Sequence, residues 1–309
     1  MSEIEIKAYA KINLSIDVLE KRPDGYHSVR TVLQQVNLYD TLTAATGGTG
    51  GGLALSVEGK LRPGGEVPVD GRNLAVRGAR AFLAEYAPRF PGRFSIRIQK
   101  RIPVAAGLGG GSADAAAAIL ALSRLCGVNP GLKKLMELGS RLGADVPFCL
   151  MGQAARNPAL GFAEDPMAKN AALGEGIGEK LTPLPSLPGW VLLVKPAVSV
   201  STAAVYGALK LEEIRERPDT DALIQVLKDK NYTKIAKNMV NVLEIPALKE
   251  YSEIAQLKNL LTQDVHAEKV MMSGSGAAVF AYYREQAPCE AALSRLAGQD
   301  AAAFALELL

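Results

Sequence analysis

The chain has 309 residues, enough for two domains of ordinary size, and 48% hydrophobic against 22% charged residues is the balance of a folded globular protein. Its 35 basic and 32 acidic side chains are dispersed and leave a net charge of +3, which argues against a nucleic-acid partner but leaves room for a small anionic ligand. No apolar run reaches the ~18 residues of a membrane span, Met1 to Lys11 has no apolar signal region, and Cys126, Cys149 and Cys289 lack metal-ligand spacing. A cytoplasmic protein with reduced, buried thiols and no membrane partner is expected.

Ile4 to Val18 alternates as strands do, and Pro23-Asp24-Gly25 is a turn signal that ends the stretch. A second strand pattern covers Thr31 to Leu38. Gly47 to Gly52 reads as a solvent-exposed loop, because no helix and no completing Lys, Ser or Asp follows it. Asn73 is placed to cap a helix running to about Tyr86, with Leu74, Ala75, Ala79 and Phe82 on one face. The strand Phe94 to Ile98 leads into a glycine-rich segment, and Ala115 to Cys126 has the composition of a buried helix. Leu132 to Leu142 reads as a further helix, stopped by Gly143, and the stretch to Glu179 is punctuated by Pro and Gly. After the strand Trp190 to Val194, helices are predicted over Tyr206 to Glu216, Thr220 to Leu227 and Ile245 to Leu261. Strands over Lys269 to Met272 and Ala277 to Tyr283 flank Ser273-Gly274-Ser275-Gly276, and a helix over Cys289 to Ala297 closes the chain's last domain. Strands and helices in separate runs predict an α+β fold, with domains over 1–185 and 186–309.

A strand, then glycines, then a buried helix is an arrangement that cradles phosphate. Glycines let the backbone curl and approach a ligand closely, and the N–H groups of the helix start converge on an anion. Here the segment is Pro103-Val104-Ala105-Ala106-Gly107-Leu108-Gly109-Gly110-Gly111-Ser112-Ala113, and Ser112 adds a hydroxyl able to hold a phosphate oxygen or Mg²⁺. Neither the Walker A pattern nor the dinucleotide fingerprint is present, and the protein-kinase signatures are absent too. A plain Gly-rich turn is the competing reading.

Transfer of a phosphoryl group to an alcohol also needs a residue that orients or deprotonates the hydroxyl. Asp145, between an apolar helix and Val146-Pro147, would be costly to bury without a partner, or else it is a turn aspartate. Lys11 interrupts an otherwise apolar strand, or else it lies on a solvent face. If the two meet, the ammonium keeps the carboxylate ionised and offers a donor to the moving phosphoryl group.

These residues resemble the GHMP kinase superfamily, whose central motif P-x-x-x-G-L-G-S-S-A matches Pro103 to Ala113 with extra glycine. Ala10-Lys11-Ile12-Asn13-Leu14 and Lys21 to His27 are similar to the branch acting on a cytidine-bearing alcohol. So are Leu142 to Phe148, Lys195-Pro196 with Ser201-Thr202 and Tyr206, Asn241 to Glu244, and Met272 to Gly276. The matches run in order over nearly the whole chain. The resemblance implies the two-domain GHMP architecture, with a ribosomal-protein-S5-like N-terminal domain and a ferredoxin-like C-terminal domain. It implies ATP and Mg²⁺ as cofactors, a monomer or homodimer, and 4-diphosphocytidyl-2-C-methyl-D-erythritol as the small-molecule substrate, phosphorylated on its 2-hydroxyl.

Carried onto this chain, the resemblance makes Asp145 the general base and Lys11 its partner, and has Asn13 position the substrate. Tyr26 and Tyr206 are expected to sandwich the cytosine, with His27 and Lys11 hydrogen-bonding near it and Thr202 lining the pocket. Asn73 and Lys100 are expected near the nucleotide. The chain departs from the family over about Ala155 to Asn170, where extra residues read as a surface excursion. The alternatives are another kinase of the superfamily, of homoserine or mevalonate type, and a non-catalytic binding module on the same fold.

Overall fold

The computed structural model describes residues 2–49, 52–59, 67–90, 92–296 and 301–309. Strands β1 (Ser2–Lys21) and β2 (His27–Thr49) form a long antiparallel hairpin. Asp24 closes its turn by accepting the N–H of Tyr26. β3 (Leu53–Glu58), β4 (Gly92–Gln99), β5 (Ala171–Glu175) and β6 (Lys180–Leu184) complete the sheet in the order β3-β4-β2-β5-β6, with β1 on β2. Helices α1 (Leu74–Tyr86), α2 (Gly110–Leu125), α3 (Leu132–Ser140) and α4 (Val146–Arg156) belong to this half, and α2 and α4 pack on β1.

The β1–β2 register slips between Tyr9 and Lys11 and again between Asn13 and Ser15. Each slip re-aims the side chains that follow, as bulges do. Ile12 and Leu14 accordingly enter the core under α2 and α4, whereas Ile16 and Val18 enter a second core with Leu192 and Val194. Covered on both faces, Tyr9 to Asp17 is buried throughout, and the simple alternation expected of Ile4 to Val18 breaks there.

The second sheet has the order β10-β7-β9-β8, all antiparallel, from β7 (Trp190–Pro196), β8 (Lys269–Met272), β9 (Val279–Tyr283) and β10 (Ala301–Glu307). Its half carries α5 (Thr202–Ala208), α6 (Thr220–Asp229), α7 (Ile235–Asn238), α8 (Glu244–Glu250), α9 (Ser252–Thr262) and α10 (Gln286–Arg295). α6 reaches back onto β2 and β6 and places Leu223 and Leu227 in the first core.

Several expectations change. Gly47 to Thr49 continue β2, paired with β4, instead of opening a loop; Gly50 and Gly51 lie outside the described residues. The punctuated stretch after Asp145 contains α4, β5 and β6. Pro147 stands in the first turn of α4, where its missing N–H costs nothing, so it starts the helix rather than breaking it. The helix from Tyr206 stops at Ala208, and the one over Ile245 to Leu261 is interrupted at Tyr251, whose backbone is extended. A strand, β10, follows the last helix, because pairing with β7 overrides the helix propensity of its alanines. The extra segment is packed rather than free. Asn157 bonds the N–H and C=O of Lys7, and Leu160, Phe162 and Ala168 are buried.

Candidate active site

The segment between β4 and α2 folds over the end of the hairpin and is fixed from two sides. The N–H of Lys11 donates to the carbonyl of Leu108 (3.0 Å), and the Ser273 hydroxyl and Ala278 N–H donate to the carbonyls of Gly107 and Ala106. Gly107 has φ +75°, and a Cβ there would lie 2.1 Å from the carbonyl oxygen of Ser273, so only glycine fits. Gly109, at φ +68°, caps α2 in the left-handed conformation, and its missing Cβ would press on Lys11. The loop therefore lies directly over Lys11, and Ser112 stands in the first turn of α2 beside the N–H groups that the helix leaves unpaired.

Asp145 immediately precedes α4, yet its carboxylate makes no capping bond. It turns to Lys11 instead, with Oδ2 3.4 Å from Nζ; the lysine is 5% exposed and the aspartate 37%. Lys11 donates to Asn13 Oδ1 (2.8 Å), Asn13 Nδ2 donates to Thr31 Oγ1 (2.8 Å), and Thr31 donates to the carbonyl of Ser15. This chain of bonds orients the ammonium and the Asn13 amide. The carboxylate keeps an open side that lines the cavity, within reach of a bound hydroxyl.

At the other end of the site His27 lies against Tyr206, ring centroids 5.3 Å apart and planes tilted by 35°. Burial, and the charge of Asp145 after it, holds the Tyr206 hydroxyl well above its ordinary pKa. Burial, with Lys21 second, lowers His27. Tyr26 is 61% exposed at the rim, and the ring that lies directly against Tyr206 is that of His27. The Thr202 hydroxyl lies 2.8 Å from that of Ser275, which ties α5 to the loop after β8.

A single cavity of about 860 Å³ joins these parts. Lys11, Asn13, Tyr26, His27, Asn73, Lys100, Asp145, Thr202 and Tyr206 line it, with Pro103, Val104, Ala105, Ala106, Gly107, Leu108, Gly109, Gly110, Gly111 and Ser112. Ala113 does not; it is buried on the core side of α2. Asn73 lines the wall while capping α1 through Ala75 N–H. Lys100 is 5% exposed and is held beneath the loop by Asp40 and Asp114. Thr31 and Asp40 carry no signal of a site role in the sequence beyond a carboxylate in apolar surroundings, and Asp114 shows there only as the end of the glycine segment. Among the described residues no three His, Cys, Asp or Glu cluster as a metal cage, and no helix is long and apolar enough to cross a membrane.

Residues 73–153 match the GHMP kinases N terminal domain and residues 222–300 the GHMP kinases C terminal domain. A 4-diphosphocytidyl-2-C-methyl-D-erythritol kinase of Acetivibrio thermocellus is 43% identical over 93% of this chain and 92% of its own. One of Exiguobacterium sibiricum is 44% identical over 90% and 88%. A crystal structure of a 4-(cytidine 5'-diphospho)-2C-methyl-D-erythritol kinase superposes with a TM-score of 0.77 at 30% identity, covering 99% of both chains. With the glycine loop, the Lys11–Asp145 pair and both domain types in one molecule, the chain belongs to the GHMP kinases, in the family of the 4-diphosphocytidyl-2-C-methyl-D-erythritol kinases.

Proposed function

We propose that this kinase transfers the γ-phosphate of ATP to the 2-hydroxyl of 4-diphosphocytidyl-2-C-methyl-D-erythritol. The observation that carries the reading is the Lys11–Asp145 pair lying under Gly109, so that an acceptor hydroxyl beside Asp145 also faces the phosphate loop. The hydroxyl oxygen attacks the γ-phosphorus as its bond to the β-bridging oxygen breaks; ADP leaves and the hydroxyl proton passes to Asp145 Oδ2. Lys11, paired with Asp145, donates toward the phosphoryl oxygens as their charge shifts. No covalent intermediate is required, since one in-line displacement joins donor and acceptor.

ATP phosphates are received by the loop from Gly107 to Ser112, with Asn73 on the nucleotide side. Mg²⁺ fits the donor set present. The Ser112 hydroxyl, which lines the cavity in the first turn of α2, would hold it together with phosphate oxygens, and the ion would neutralise phosphate charge there. The cytosine is taken up between Tyr206, His27 and Tyr26, aromatic faces gripping the base while the imidazole reads its edge. The test is ADP release with ATP, Mg²⁺ and the cytidine substrate, beside homoserine and mevalonate. Turnover with the cytidine compound alone is expected; turnover with homoserine or mevalonate instead would discard the base pocket.

A further inference from the structure

Among the described residues, the cavity is lined by four lysine or arginine side chains, Lys11, Lys21, Arg72 and Lys100. Three of them are already balanced by carboxylates: Lys11 by Asp145 at 3.4 Å, Arg72 by Asp70 at 2.9 Å, and Lys100 by Asp40 and Asp114. Lys21 is the exception, and pairs with no carboxylate among the described residues. The acids nearest to it in the chain are engaged elsewhere, Glu20 with the Ser28 hydroxyl (3.0 Å) and Asp24 with Arg22 (2.8 Å).

The strand register fixes where this uncommitted charge stands. Lys21 is the last residue of β1 and the direct antiparallel partner of His27, the first residue of β2. Directly opposed residues of an antiparallel pair project from the same face. The lysine stem therefore leaves the hairpin beside the imidazole that lies against Tyr206. Its charge is felt there: after burial, Lys21 is the second cause that lowers the His27 pKa. Gly25 and Tyr26, from the turn that joins the two strands, line the same end of the cavity. Lys11, ten positions earlier on the same strand, serves the opposite end, where it meets Asp145.

The substrate's own charge calls for such a group. ATP phosphates have the N–H groups of the glycine loop, and Lys11 faces the phosphoryl group in transfer. The cytidine substrate is a diphosphate diester with two negative charges, and none of the balanced cations is left for them. An anion drawn out of water without a counter-charge is costly, whereas an unpaired cation at the cavity raises the local concentration of anions. We infer that Lys21 is a specificity-determining residue whose ammonium receives the diphosphate oxygens of the cytidine substrate while His27 and Tyr206 hold the base. The inference rests on the cytidine pocket proposed above. The flexible four-carbon stem of a lysine lets the charge follow the diphosphate from the hairpin end. The pocket then selects cytidine nucleotides over cytidine itself, a distinction that aromatic stacking on the base does not make.

The test is equilibrium binding of cytidine 5′-diphosphate and of cytidine to wild type, Lys21→Gln and Lys21→Arg at low and high salt. Adenosine 5′-(β,γ-imido)triphosphate with Mg²⁺ is titrated beside them. Lys21 is exposed, so replacing it leaves no buried group unpaired. Lys21→Gln is expected to bind the cytidine diphosphate roughly three- to tenfold more weakly, the scale of one charge-assisted contact open to solvent. Its affinity for cytidine and for the ATP analogue should match wild type, and Lys21→Arg should recover most of the loss. Added salt should weaken diphosphate binding more in wild type than in Lys21→Gln, since screening acts on the charge that the variant lacks. An equal loss for cytidine would assign Lys21 to the base and overturn the inference. A loss confined to the ATP analogue would overturn it in favour of the donor nucleotide. Unchanged affinity for the cytidine diphosphate overturns it and leaves the cytidine pocket standing. Should Lys21→Gln not fold, a wild type that binds the diphosphate no tighter than cytidine overturns it alone. A wild type that binds neither cytidine compound removes the pocket and the inference together.

Discussion

Asp145 stands where a helix cap would normally spend its carboxylate, and it is free to meet Lys11 because the first turn of α4 begins with Val146-Pro147 and makes no capping bond to it. Lys11 in turn is fixed by Asn13 and Thr31 rather than by solvent. Asp145→Asn preserves this packing but removes the proton acceptor, so kcat is expected to fall ~10²–10⁴-fold, the range for loss of a general base. ATP affinity should be nearly unchanged; single-turnover rates and nucleotide titration check both, and an undiminished rate would refute the base. At the cytidine end, Tyr206→Ala is expected to weaken substrate binding by about 1–3 kcal/mol, the scale of a base–aromatic stack. A substrate analogue lacking the base should show no such loss. Tyr26, exposed at the rim, is expected to lose less substrate affinity than Tyr206 on the same change to alanine.

At the scale of elements, the glycine loop is shaped as much by the second sheet as by its own glycines. Asn241 holds the carbonyls of Met272 and Gly274, and that segment offers the Ser273 carbonyl against which Gly107 packs. Gly107→Ala must therefore distort the contact between the halves as well as adopt a left-handed backbone, which alone costs about 1–3 kcal/mol. Both a lowered Tm and weakened ATP binding are expected. A variant with normal ATP affinity would mean that the loop does not need this contact. The glycine pattern was readable from sequence, but its docking surface was not, because the partner carbonyls lie more than 160 residues away.

Over the whole molecule, the extra segment around Ala155 to Asn170 extends the first core and contributes no residue to the cavity. Phe162→Ala is expected to cost roughly 3 kcal/mol, the lower end for a buried phenylalanine, with KM values for both substrates kept. Thermal melts and steady-state kinetics separate the two effects, and a shifted KM would place the segment in the site after all.

The chain by itself determined the glycine loop, the capped helix α1 and the buried helix α2, and it marked Lys11 and Asp145 as two misplaced charges without deciding that they meet. Each rests on local chemistry: turn residues, apolar composition, a cap, a charge inside an apolar run. Only the tertiary structure decided the bulges that send Ile16 and Val18 into a second core, the α4 helix behind Pro147, and the β10 strand. It alone placed Lys100 between Asp40 and Asp114. Those features depend on pairings across long separations, where the energy of a contact outweighs the local preference of the residues that make it.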